Sequence, residues 1–180
     1  MRLYLAGPDV FLPDPFARAA LLKSVCADYG MAGVSPMDAL ADEPAEWAEL
    51  PEALRIARRN EAHIDSCDAL VANLTPFRGP SADVGTVFEI GFMRALGRPV
   101  YGWSNDPRPF AERTHSFLRL TGPVDADGLL IEDFGLADNL MIEAAITASG
   151  GVFVRRSCDA GDRWTDLSAF RAVLAHFQPK

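Results

Sequence analysis

The run Ala69-Leu70-Val71-Ala72-Asn73-Leu74 constrains this chain more than any other stretch, because its apolar side chains fall on odd and even positions alike. A strand of that pattern buries both faces, which places it at the centre of a parallel sheet covered by helices on each side. The rest of the chain alternates as such a sheet requires. Residues 3–6 read as a buried strand ended by the Gly7-Pro8 turn, where glycine lets the backbone approach a ligand closely. A helix is expected over 14–29, with Asp14 as cap, Pro15 at the first helical position and Gly30 as stop. A short strand follows at 32–35, then a helix over 51–67 with Leu54, Ala57, Glu61 and Ile64 at helical spacing. Beyond the central strand come a helix opened by Asp83 and stopped at Gly97 and a strand at 99–103. A helix capped by Asp138 then reaches 149, followed by a last strand at 151–154 and an amphipathic helix over 166–177. Two stretches interrupt the alternation: an acidic loop over 37–49, with a helical turn near Trp47, and an excursion over 104–132 rich in Asp, Pro, Arg and Gly. The expected architecture is a single domain over 1–180, a doubly wound α/β fold of flavodoxin-like or Rossmann-like type, with about five parallel strands flanked by helices.

Such folds hold their sites beyond the carboxyl ends of the strands. At that edge the stretch Ser81-Ala82-Asp83-Val84-Gly85-Thr86-Val87-Phe88-Glu89-Ile90-Gly91-Phe92 sets two carboxylates beside small residues at a helix start. As N-cap, Asp83 satisfies first-turn N–H groups at the positive end of the helix dipole. Glu89 lies inside the helix and leans over Gly85 and Thr86, at i−4 and i−3, leaving a gap that a ligand can occupy. Taken alone, a pattern of this kind is better explained by a plain cap and a solvated glutamate. The neighbours Val87, Phe88, Ile90 and Phe92 favour a functional carboxylate, because an unpaired charge among them is costly to bury.

A net charge of −8 argues against nucleic-acid polymers and anionic membranes as partners and leaves a small neutral ligand. No apolar run approaches the ~20 residues of a membrane span, and no basic segment followed by a long apolar core opens the chain, so a cytoplasmic location is expected. Cys26, Cys67 and Cys158 make neither a C-x-x-C pair nor a metal spacing with the three histidines; reduced thiols are expected, with no metal and no cofactor. The Gly7-Pro8 turn also lacks the G-x-G-x-x-G pattern of a dinucleotide oxidoreductase.

The segment from Asp68 through Asn73, Pro76, Phe77, Arg78, Gly79 and Pro80, continuing through Asp83, Gly85, Thr86, Glu89 and Gly91 to Gly97-Arg98-Pro99-Val100, resembles the nucleoside 2-deoxyribosyltransferase family. The opening Tyr4-Leu5-Ala6-Gly7-Pro8 and the late Asn139-Leu140-Met141 match as well, so the resemblance covers most of the chain in the family's order. It implies cleavage of an N-glycosidic bond, in which oxocarbenium character develops at the anomeric carbon and calls for a nearby carboxylate. Glu89 is the candidate nucleophile, forming a covalent deoxyribosyl-enzyme that a second base resolves with net retention. Asp83 holds the sugar or tunes Glu89, and Tyr4 orients the Glu89 carboxylate. Phe11 and Phe77 wall the base and Arg78 closes over it, or else these three are packing and surface residues. Asn139 matches a family asparagine that reaches the sugar 5′-hydroxyl from a neighbouring subunit, with Met141 beside it, which implies a homo-oligomer; the plain alternatives are a first-turn helix residue and a core methionine.

One departure concerns the base proton. Several family members place an aspartate where this chain has Asn60, with Glu61 beside it, and an amide cannot supply a proton. Glu61, a water or Asp83 are the substitutes, and the resemblance to purine-preferring members that carry asparagine at this position implies purine preference. Related deoxynucleotide N-hydrolases carry serine where Asp83 stands, so free 2-deoxynucleosides and nucleobases fit better than monophosphates. Besides base exchange, the residues leave open a hydrolase using the same nucleophile and a non-catalytic nucleoside- or nucleotide-binding module.

Overall fold

A computed structural model of the protein describes residues 1–177. Five strands, β1 (Arg2–Ala6), β2 (Ala32–Val34), β3 (Ala69–Asn73), β4 (Val100–Ser104) and β5 (Phe153–Arg155), form one all-parallel sheet in the order β2-β1-β3-β4-β5. The helices are α1 (Pro15–Asp28), α2 (Glu52–Asp65), α3 (Val84–Ala95), α4 (Phe110–Leu118), α5 (Leu140–Ala148) and α6 (Ser168–Leu174). This is the doubly wound, flavodoxin-like order, whose switch point lies between β1 and β3.

The period-2 alternation of the strands divides the core in two. Tyr4 and Ala6 of β1 and Leu70 and Ala72 of β3 face Ile64 of α2, Ile90 and Met93 of α3, and Ile142 and Ile146 of α5. Leu3 and Leu5 of β1 and Ala69 and Val71 of β3 face Leu22 and Val25 of α1 and Phe170, Val173 and Leu174 of α6. Every residue of β3 is buried, as its two-sided apolar pattern requires.

Several elements differ from the sequence expectation. Asp14 and Asp83 cap α1 and α3, accepting from Ala17 N and Thr86 N, but α5 is capped by Asn139, whose Oδ1 accepts from Met141 N at 3.0 Å. Asp138 is instead fully buried against Arg113. The 104–132 excursion contains helix α4, which buries Ala111, Arg113 and Thr114 and leaves Phe117 and Leu118 exposed. In α2 the buried residues are His63 and Ile64, while Leu54 and Ala57 are exposed, because only the last turns of this helix lie on the core. The strand expected at 151–154 runs as Phe153–Arg155; Gly151 lies just before it, where a side chain would collide with the Val100 carbonyl. Among the described residues no helix is long and apolar enough to cross a membrane, and no group of three or more His, Cys, Asp or Glu side chains is placed to hold a metal.

Candidate active site

The switch point opens into a cleft of about 500 Å³ lined on one side by Gly7, Asn60, Asp83, Gly85, Thr86 and Glu89. The other lining residues are mainly apolar: Val10, Phe11, Phe16, Pro36, Met37 and Ile56, with Asp38 and Arg59 among them. A cleft of this size with an apolar wall and a few convergent polar groups suits a small organic ligand.

The floor of the cleft is built by the ends of β1 and β3. Gly7 has φ 150, and a Cβ there would lie 2.6 Å from Asn73 Cβ, so only glycine fits where the two strands diverge. Beneath it, Asn73 Nδ2 donates to Asp9 Oδ2 at 2.8 Å and Arg18 Nε donates to Asp9 Oδ1 at 2.7 Å, all three side chains buried. This network anchors the segment that carries Val10 and Phe11 into the wall.

The acidic end depends on α3. Asp83 Oδ2 accepts from both the backbone N and the Oγ1 of Thr86, at 2.9 and 3.1 Å, which leaves Oδ1 available to a ligand. The loop before it is held by Asp138, which accepts from Ser81 Oγ at 2.5 Å and Ala82 N at 2.9 Å, with Arg113 Nη2 3.4 Å away. Glu89, two turns into the helix, is 9 % exposed. Tyr4 OH, at the core of the sheet, donates to Glu89 Oε1 at 2.6 Å, and Asn60 Nδ2 lies 3.4 Å from the same oxygen. Burial pushes the Glu89 carboxyl up from 4.5 to about 7; the Tyr4 hydrogen bond opposes the rise and the Asp83 charge adds to it. Burial, with Glu89 beside it, raises the Tyr4 phenol far above its ordinary value, so Tyr4 stays a donor. A carboxylate that is buried, oriented by one strong donor and poised near neutrality can act as nucleophile or as base toward a bound ligand.

The structure thus brings together Tyr4, Gly7, Phe11, Asn60, Asp83, Gly85 and Glu89. The other sequence candidates lie off the cleft lining of their own chain. Glu61 pairs with Arg58 at 3.9 Å on α2. Phe77 stacks on Phe11 with ring centroids 5.2 Å apart, and Arg78 sits over both rings, forming a rim to the cleft. Asn139 caps α5 and donates to Glu132 Oε2, and Met141 is 69 % exposed. Sequence reasoning missed Asp138, Asp9 and Arg18, which act behind the site, and Arg59, Asp38, Phe16 and Ile56, which line it.

The doubly wound α/β domain thus sets a buried glutamate and a capping aspartate over a cleft at its switch point. The family model for nucleoside 2-deoxyribosyltransferase matches residues 3–141, and the chain belongs to that family. The 2-desoxiribosyltransferase from Leishmania mexicana superposes with a TM-score of 0.67 at 30 % identity, covering 98 % of this chain and 99 % of that one. A conserved protein from Enterococcus faecalis V583 shares the fold, with a TM-score of 0.57 and 22 % identity over 98 % of each chain. An uncharacterized protein of Schizosaccharomyces pombe is 35 % identical over 167 residues, which is 83 % of this chain and 78 % of the relative.

Proposed function

We propose that this protein transfers 2-deoxyribose between nucleobases through a covalent deoxyribosyl–Glu89 intermediate. The observation that carries the reading is the Glu89 carboxylate itself, buried at the cleft and held by Tyr4 OH at 2.6 Å. The sugar lies at the Asp83–Glu89 end, with its hydroxyls toward Asp83 Oδ1, and the base lies against Phe11, Phe16, Met37 and Ile56. Glu89 attacks the anomeric carbon as the bond to the base breaks, and a second base entering the apolar side reverses the step with net retention. Purines are the preferred bases in this reading, and the unphosphorylated nucleoside is the substrate because Asp83 would repel a 5′-phosphate.

A second copy of the chain completes the site. Met141 of α5 and Val84 and Phe88 of α3 are exposed apolar side chains on two helices that pack together, and a second copy covering them, with its Asn139 reaching the sugar, is the arrangement this reading requires.

Hydrolysis is the second reading. Phe11, Phe16 and Ile56 are each about half exposed in the single chain, leaving the base side of the cleft open to water. Chromatography of 2-deoxyinosine incubated with the protein, with and without a second free base, separates the two. A new deoxynucleoside formed with the acceptor is the expected result; free base and deoxyribose released regardless of acceptor would make the protein a hydrolase.

A further inference from the structure

On the apolar side of the cleft the polar side chains are Asp38 and Arg59, and Asn60 borders it from beside Glu89. Asp38 is committed: both its oxygens take Lys23 Nζ, at 2.8 and 2.9 Å, and Oδ2 also accepts from Ser35 N. Asn60 is an amide and has no proton to give a departing base. Arg59 is different. Its Nε and Nη2 each donate to the Glu43 carboxylate, the second at 2.8 Å, so the guanidinium is fixed in orientation by the acidic loop. Of its five N–H bonds, the three not given to Glu43 have no acceptor among the described residues. The cleft therefore offers, on its base side, an oriented cation with free donors, while Asn60 Oδ1, which has no partner among the described residues, is an acceptor beside Glu89.

Resting on the base-exchange reading above, we infer that Arg59 binds the carbonyl oxygen of an oxo nucleobase and stabilises the electron pair that the base carries away. The Glu89 carboxylate forms its bond to C1′ while the C1′–N bond breaks, and the bonding pair leaves with the base. In an oxo base such as hypoxanthine that charge spreads from the ring nitrogen to the carbonyl oxygen beside the guanidinium, and solvent water protonates the base after release. An electrostatic partner oriented in advance toward developing charge does the work otherwise done by a general acid. An amino base such as adenine turns an NH2 donor toward the same cation and gains little from it. The Glu43–Arg59 pair also gives the acidic loop a role: it aims the guanidinium.

The test compares kcat/KM for 2-deoxyinosine and 2-deoxyadenosine as donors in the wild type, Arg59→Gln, Arg59→Lys and Glu43→Gln, with thermal melts as a check on folding. Wild type favours 2-deoxyinosine. Arg59→Gln loses roughly 10–100-fold on 2-deoxyinosine, the range of one charged hydrogen bond, and much less on 2-deoxyadenosine, so the preference collapses. Arg59→Lys keeps part of it, and Glu43→Gln, which retains the arginine but frees it, shows a smaller loss of the same selectivity. Should Arg59→Gln fail to fold, Glu43→Gln decides. Equal losses on the two donors, or none, overturn the assignment of Arg59 while leaving base exchange intact. A wild type that releases no base from either donor overturns the base-exchange reading and this inference with it.

Discussion

Replacing Glu89 with glutamine should make the protein more stable as it makes it inactive. A carboxyl that titrates near 7 when folded and near 4.5 when unfolded costs the folded state about 3 kcal/mol once ionised. The sign follows from proton binding. Between the two values the folded chain holds a proton that the unfolded chain has lost, so stability present below about 4.5 is lost as pH rises through about 7. Glutamine keeps the shape of the side chain and an oxygen for Tyr4 OH, and it carries no charge to desolvate. Urea denaturation of both proteins at several pH values should therefore show Glu89→Gln ahead by less than about 1 kcal/mol at pH 5 and by about 3 kcal/mol at pH 8. For a domain of this length that gain corresponds to about 6–12 °C in Tm. A stability difference that does not change with pH, or that shrinks as pH rises, would refute a Glu89 held at strain in its ionised form.

Three further outcomes follow from the same geometry. If the ionised carboxylate acts as the proposed nucleophile, kcat/KM in a pH–rate profile should rise with pH through about 7 and level off above it. Tyr4→Phe removes the donor that lowers the Glu89 value; this limb should move to higher pH and kcat should fall roughly 10–100-fold, since the lost hydrogen bond is to a charge. Asp138→Ala leaves Arg113 without its buried carboxylate partner and frees Ser81 and Ala82, for an expected loss of about 3–5 kcal/mol in urea denaturation. Asp138→Asn keeps the volume and should cost less stability while still lowering kcat, because the loop that presents Asp83 is no longer anchored on both oxygens.

Much of this molecule was legible wherever local chemistry and tertiary structure agreed. β3 was readable because an all-buried strand leaves a continuous apolar run, and the α1 and α3 caps because Asp14 and Asp83 each precede a helical pattern with no competing polar group. At α5 two capping residues stand side by side, and the choice between them was made at a distance: Arg113, buried in α4, draws Asp138 inward, and Asn139 caps in its place. Helix α4 went unread although Phe110, Ala111, Phe117 and Leu118 recur at helical spacing, because the run is short and set among Asp, Pro, Arg and Gly. In the site, Glu89 and Asp83 could be picked out because their spacing lies within one helix. Arg59 could not, since its importance comes from Glu43, sixteen residues away in a loop without a regular pattern. Nor could the Asp9–Arg18–Asn73 network, which joins β3 to the segment after β1 only once the parallel sheet has formed.

The proposed base exchange requires that Glu89 become covalently bonded to the sugar. Intact-mass and peptide mass spectrometry of the protein quenched after incubation with a 2-deoxynucleoside, with no acceptor base added, measures this directly. The expected result is a deoxyribosyl adduct that maps to Glu89, disappears when a free base is added before quenching, and is absent from Glu89→Gln. Base exchange retained by Glu89→Gln, or an adduct that maps to another residue, would contradict it.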